Sequence, residues 1–267
     1  MPFTTSTDGV RIYYEAQGTG PAVVFVHGSG GHHAAWWQQV PRLRDRFTVV
    51  TLDLRGFGRS ASALDEFDSR AFPDDIAAVL AAAEVGPAVL VGQSIGAAAA
   101  LKTALRTPVS AAGVVLAHSL GGIDHPDLAA RVRADRAVAE KLPVLDRLLT
   151  PRFQTDEPAK TFLFQQMGSF NTAKMADLRN LNSDGPTIED VVGSGIPLCF
   201  LAGENDAVLR PDTVRAAAAL IPSATLELVA TAPHSMYWEA PELFNTALIR
   251  FLEKAHAHDL SAAGELI

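Results

Sequence analysis

The sequence holds 267 residues, more than a minimal domain and within the range one α/β unit fills. Its 48% hydrophobic and 19% charged residues supply a core and argue against disorder. A formal net charge of −8 without a cluster of Lys or Arg argues against nucleic-acid binding, which needs concentrated positive charge. The single cysteine, Cys199, excludes an intrachain disulfide and sits in the apolar run 197–202, where it reads as a small core hydrophobe. The N-terminus shows no basic segment followed by an apolar stretch, and no apolar run approaches the roughly 18–20 residues of a membrane span. A cytoplasmic protein without a membrane partner is expected.

In chain order, residues 3–7 and 10–16 flank Asp8-Gly9, a two-residue hairpin signal. Short apolar runs follow at 22–26, 47–52, 88–91, 113–117, 197–202 and 225–229, mostly continuous rather than alternating. Such runs are expected of strands covered on both faces of a parallel sheet. Helical stretches separate several of them, including 73–85, closed by Gly86, and 95–106, closed before Pro108. The alternation predicts βαβ units and a mostly parallel, doubly wound sheet.

The rhythm breaks between 117 and 197, an interval too long for a plain loop. Helical patterns at 127–141, 160–167 and 172–180, separated by prolines, predict an inserted helical cap. Its boundaries are 120–195, leaving 1–119 and 196–267 as the core domain. The cap residues Leu145, Phe153, Phe162, Phe164, Met167 and Phe170 read equally as cap core or as pocket lining. Residues 259–267 are expected to follow the final helix as a disordered tail.

The most specific motif is Gly92-Gln93-Ser94-Ile95-Gly96, lying between the strand 88–91 and the helix 95–106. A G-x-S-x-G in that context is a nucleophile elbow. The strand must turn sharply into the helix, forcing the central residue into strained geometry and requiring glycine two positions to either side. The turn lifts the Ser94 hydroxyl to a helix N-terminus, where partial positive charge favours a developing anion. His27-Gly28-Ser29-Gly30-Gly31 follows the strand 22–26 and reads as the second half of an oxyanion hole. The amides of Ser29 and Ile95 are its expected donors. The glycine-rich loop lacks both the dinucleotide spacing and the P-loop Lys, so no nucleotide or other cofactor is expected.

With these motifs, and with Asp53-Leu54-Arg55-Gly56-Phe57-Gly58-Arg59-Ser60 after the strand at 47–52, nearly the whole chain resembles the α/β-hydrolase family. The resemblance implies an α/β fold with a helical cap, and a scaffold role for residues 53–60. It also implies the order serine, acid, histidine. Asp206, in Ala202-Gly203-Glu204-Asn205-Asp206, stands where the family places its acid, and His234, in Pro233-His234-Ser235-Met236, where it places its base. Glu204 and Asp212 are nearby rivals for the acid. Relatives that carry it after the preceding core strand would nominate Asp124. Of the other histidines, His27 is expected to shape the oxyanion loop. His256 and His258 are expected in solvent, while His32, His33, His118 and His125 are expected around the pocket mouth. No carboxylate accompanies the His32-His33 pair in sequence, so no metal site is expected.

Serine at the elbow argues against the branches with an aspartate nucleophile. The implied reaction is acyl transfer on a carboxylic ester or lactone of a small, largely apolar molecule. His33, Trp37, Phe162 and Met236 are candidate substrate contacts. A carbon–carbon bond hydrolase of β-diketones is the alternative, although Gly30-Gly31-His32 departs from that branch's Gly-Pro-Gly. A small-molecule receptor on the same scaffold is the alternative from another class. A monomer or homodimer is expected.

Overall fold

A computed structural model describes residues 2–181 and 183–264, with the side chains of the final helix described as far as residue 257. Eight strands form one sheet in the order β1-β2-β4-β3-β5-β6-β7-β8. They are β1 (Phe3–Thr5), β2 (Arg11–Gln17), β3 (Ala22–Val26), β4 (Thr48–Leu52), β5 (Ala88–Gln93), β6 (Ala111–Ala117), β7 (Leu198–Gly203) and β8 (Thr225–Val229). Pairings from β4 to β8 are parallel, while β1 and β2 run antiparallel at one edge.

All residues of β3, β5 and β7 are buried, as continuous apolar runs require of strands with two covered faces. Their alternation divides the interior into two cores. Val24, Val26 and Leu90 face one side, under α2 (Phe72–Ala82, after the short α1, Val40–Leu43) and α3 (Ile95–Arg106). Val23, Phe25, Val89 and Val91 face the other, where Phe244, Leu248 and Leu252 of the C-terminal helix cover them. Cys199 lies buried in this second core, where desolvation pushes its thiol up, out of reach of nucleophilic use.

Between β6 and β7 the described chain forms α4 (Pro126–Ala139), α5 (Val144–Leu148), α6 (Pro151–Asp156), α7 (Pro158–Met167) and α8 (Ile188–Gly193), and no strand of the sheet. After β7 come α9 (Pro211–Leu220), then α10 (Met236–Glu239) and α11 (Pro241–Gly264). No described helix is long and apolar enough to cross a membrane.

Four details differ from the sequence reading. The β1–β2 connection spans residues 6–10 rather than two residues, because Ser6 and Val10 close it through Ser6 N–H to Val10 O, with Gly9 at φ +92°. The stretch 172–180 holds only a single 3₁₀ turn, Met175–Asp177. Its backbone is drawn instead to the 56–68 loop: Ala173 N–H donates to Gly56 O, and Arg179 N–H to Phe67 O. Helix α11 runs through Gly264, so most of the expected tail is helical; residues 265–267 lie outside the described residues. His256 is buried against Phe47 rather than exposed, because α11 folds back over that side of the sheet. The side chain of His258 lies outside the described residues.

Candidate active site

The turn from β5 into α3 places Ser94 at φ +51°, ψ −115°, in the left-handed half of backbone space that a β-carbon normally avoids. Close packing enforces it. A β-carbon on Gly96 would lie 2.5 Å from the carbonyl oxygen of His27 and closer still to that of Val26. One on Gly92 would lie 2.6 Å from the Ala97 amide nitrogen. Ser94 is anchored by its own N–H to Ala117 O, 2.9 Å, at the end of β6. Its hydroxyl makes no capping bond, so Oγ stays available while the backbone beneath it is fixed.

The loop after β7 delivers Asp206, and the loop after β8 delivers His234. His234 Nδ1 lies 2.9 Å from Asp206 Oδ2 and 3.0 Å from Oδ1. Both side chains are buried, and His234 Nε2 has no partner among the described residues. The carboxylate is satisfied from elsewhere too: the amides of Val208 (2.8 Å) and Leu209 (2.9 Å) donate to Oδ1, and His118 Nδ1 lies 3.0 Å from Oδ2. Burial opposes the charge of Asp206, but His234 and the hydrogen bond from His118 outweigh it and hold the carboxyl well below its ordinary range. An ionised Asp206 requires Nδ1 of His234 to carry the proton, leaving Nε2 as the basic nitrogen. The rivals lie elsewhere: Glu204 and Asp212 both pair with Arg215, and Asp124 is exposed.

Ser94, Ile95 and His234 line one cavity of about 330 Å³, between the sheet's C-terminal edge and α4. Its walls are largely apolar (Leu120, Ile123, Leu128, Val132), while Arg133, Arg136 and Asp124 supply charge. Ser29 lies in the wall of a second cavity of about 290 Å³, shared with α5, α7 and Trp238. The N–H groups of Ser29 and Ile95 have no acceptor among the described residues, whereas Gly31 N–H is bound to Gly28 O. His27 holds this loop in shape. Buried beneath it, with its pKa lowered to about 4 by desolvation, it contacts Gly28 O through Nδ1 and accepts the Leu54 N–H at Nε2.

None of the four candidate substrate contacts lines either cavity. His33 is turned toward Asp53 (2.7 Å) and Tyr13, Trp37 stacks edge-on against Trp238, Phe162 points outward, and Met236 is wholly buried in the second core. Leu145, Phe164 and Met167, between β6 and β7, line the second cavity instead. Asp53 also supplies the carboxylate that the His32-His33 pair lacks in sequence. Its oxygens, however, already accept from His33 Nδ1 and from the amides of His33 and Arg59, as suits the scaffold role of residues 53–60. His118 is the residue that sequence reasoning placed only at the pocket mouth; no motif signals its contact with Asp206.

Comparison with known proteins identifies the fold family. Residues 21–241 match the model of the alpha/beta hydrolase fold family. The chain is 26% identical to 2-(acetamidomethylene)succinate hydrolase of Mesorhizobium japonicum, over 91% of this chain and 92% of that protein. It is 28% identical to the non-heme chloroperoxidase CPO-A1 of Kitasatospora aureofaciens, over 95% and 100%. Among solved structures, a thermophilic esterase from Thermogutta terrifontis superposes with a TM-score of 0.80 at 26% identity, covering 96% of this chain and 98% of that one.

Proposed function

This chain belongs to the alpha/beta hydrolase fold family, and from that premise we propose that it is a serine hydrolase cleaving a carboxylic ester or lactone. One observation carries the reading: Ser94 stands strained and unengaged at the head of α3, in the same cavity as a histidine oriented by a buried carboxylate. In this reading Ser94 Oγ attacks the substrate carbonyl while His234 Nε2 takes its proton. The oxyanion forms against the N–H groups of Ser29 and Ile95, whose donors have no competing acceptor. Imidazolium His234 then protonates the departing alkoxide, leaving an acyl ester on Ser94. Water, deprotonated by the same nitrogen, attacks that ester, and the acid leaves as Ser94 regains its proton.

The two cavities, the first walled mainly by aliphatic side chains and the second by aliphatic and aromatic ones, suit a small and largely apolar substrate. The likeness to the Thermogutta terrifontis esterase supports ester chemistry. Residues 120–195 act as the cap that closes over Ser94, and the partner is a small molecule. The test is hydrolysis of p-nitrophenyl acetate and butyrate by the wild type and by Ser94→Ala. A loss of at least ~10³-fold is expected when such a nucleophile is removed. Equal rates in the two proteins would refute Ser94 as nucleophile.

A further inference from the structure

We propose that His118 is a positioning residue for this reaction: a second imidazole that fixes the outer oxygen of Asp206, so that the acid is oriented independently of the histidine it serves. This inference rests on the reading of Ser94, Asp206 and His234 given above.

The argument starts from the unequal support of the two carboxylate oxygens. Oδ1, which His234 Nδ1 also approaches at 3.0 Å, is held by the backbone amides of Val208 and Leu209. Oδ2 is held by side chains alone, His234 at 2.9 Å and His118 at 3.0 Å. Without His118, the only group on Oδ2 would be the imidazole that Asp206 must itself steer. A carboxylate can fix the tautomer and plane of a histidine only if something else fixes the carboxylate. His118 sits directly after β6, its N–H bound to Leu201 O, so its ring is referenced to the sheet rather than to a mobile loop.

Two penalties are concentrated at this residue. Its backbone is left-handed, at φ +55°, a conformation that histidine enters with some strain. Its Nε2 is buried with no partner among the described residues. A leucine or phenylalanine here would fill the space without an unpaired nitrogen. Burial keeps the His118 ring neutral against the pull of Asp206. A neutral ring with its proton on Nδ1 donates to Oδ2 without setting a second positive charge beside His234, the two ring centres being 5.5 Å apart. The other charged groups lining the cavity are Asp124, Arg133 and Arg136, all exposed.

The donated hydrogen bond spreads the charge of Asp206, weakening its pull on an imidazolium at His234. Removing the donor therefore both loosens the acid and makes protonated His234 easier to form. The experiment compares the pH dependence of kcat/KM for ester hydrolysis in the wild type, His118→Phe and His118→Asn. Asparagine places an amide donor close to where Nδ1 stands and tolerates left-handed backbone. The expectation is that His118→Phe loses roughly tenfold in kcat and moves the acidic limb upward by about 0.5–1 pH unit. His118→Asn should restore both to near the wild-type values. A purely structural role would lower thermal stability while leaving the limb in place, and that result overturns the proposal.

Should the phenylalanine variant not fold, the wild type itself supplies a readout. Its proton NMR spectrum should contain two strongly downfield imidazole N–H signals, of which His118→Asn removes one and shifts the other. A single such signal in the wild type overturns the proposal. If Ser94→Ala retains full activity, the underlying reading fails instead; if only the His118 variants are silent, this inference alone fails.

Discussion

Replacing Gly96 with alanine tests the idea that the elbow is shaped by backbone contact rather than by local propensity. On α3 alone the change should help, since alanine is the better helix former by about 1 kcal/mol. The tertiary contacts reverse that sign. The new carbon would sit 2.5 Å from His27 O, with Val26 O closer, and neither acceptor is the end of a flexible side chain. Restoring an ordinary carbon–oxygen separation of roughly 3.3 Å from both oxygens requires the head of α3 to move off β3 by at least ~0.8 Å. Overpacking of that kind typically costs about 1–3 kcal/mol. In a chain of this length it lowers the unfolding midpoint by roughly 3–10 °C. The same movement displaces Ser94 Oγ and the Ile95 amide together, and a misplacement near 1 Å at a reacting centre costs about 10²-fold in rate. Thermal unfolding followed by circular dichroism, with kcat/KM on p-nitrophenyl butyrate, measures both effects. Gly193→Ala is the control, because a carbon there meets nothing within 4 Å. A Gly96→Ala protein with wild-type midpoint and wild-type kcat/KM would refute the reasoning.

Two further outcomes follow from buried charge. His27 is fully buried, with its pKa lowered to about 4 from 6.5, so unfolding at intermediate pH takes up a proton that the folded state refuses. Stability is therefore complete above about pH 6.5 and is lost as pH falls toward 4; by pH 5 His27 alone removes about 2 kcal/mol, readable from urea unfolding at pH 7 and pH 5. A stability that holds constant or rises over that range would contradict the assignment. Arg55 forms a two-pronged pair with Asp75 (2.6 and 2.8 Å), both side chains being almost wholly buried. Arg55→Met should cost about 3–5 kcal/mol by stranding the Asp75 charge, and adding Asp75→Leu should recover most of it; a double variant no better than the single one would count against the pairing.

Much of this molecule was legible in one dimension because the relevant physics is local or periodic. The continuous apolar runs marked the buried strands β3, β5, β6 and β7, since a strand covered on both faces has no polar side to show; the run 225–229 instead became the half-exposed edge strand β8, which only its place in the sheet decides. Glycines two residues either side of Ser94 marked the elbow, since only a sharp strand–helix turn requires them there. Asp206 and His234 were nominated by the resemblance to the α/β-hydrolase family, which places its acid and histidine in the loops after the last two strands, and not by any local pattern of their own.

What the sequence left open depends on separations that only folding removes. His118 stands 88 positions from Asp206, and nothing in its neighbours signals that their side chains meet. His33 and Trp37, adjacent to the oxyanion loop in sequence, turn away from the cavities because Asp53 and Trp238 hold them elsewhere. The stretch 172–180 has helical composition, yet the N–H groups of Ala173 and Arg179 find partners on the 56–68 loop, which secondary-structure propensity cannot anticipate. Sequence determined where the strands run and where the sharp turn must fall. The tertiary structure decided which distant side chains share a carboxylate and which line the cavity, because long-range packing selects among conformations that local preference leaves nearly equal in energy.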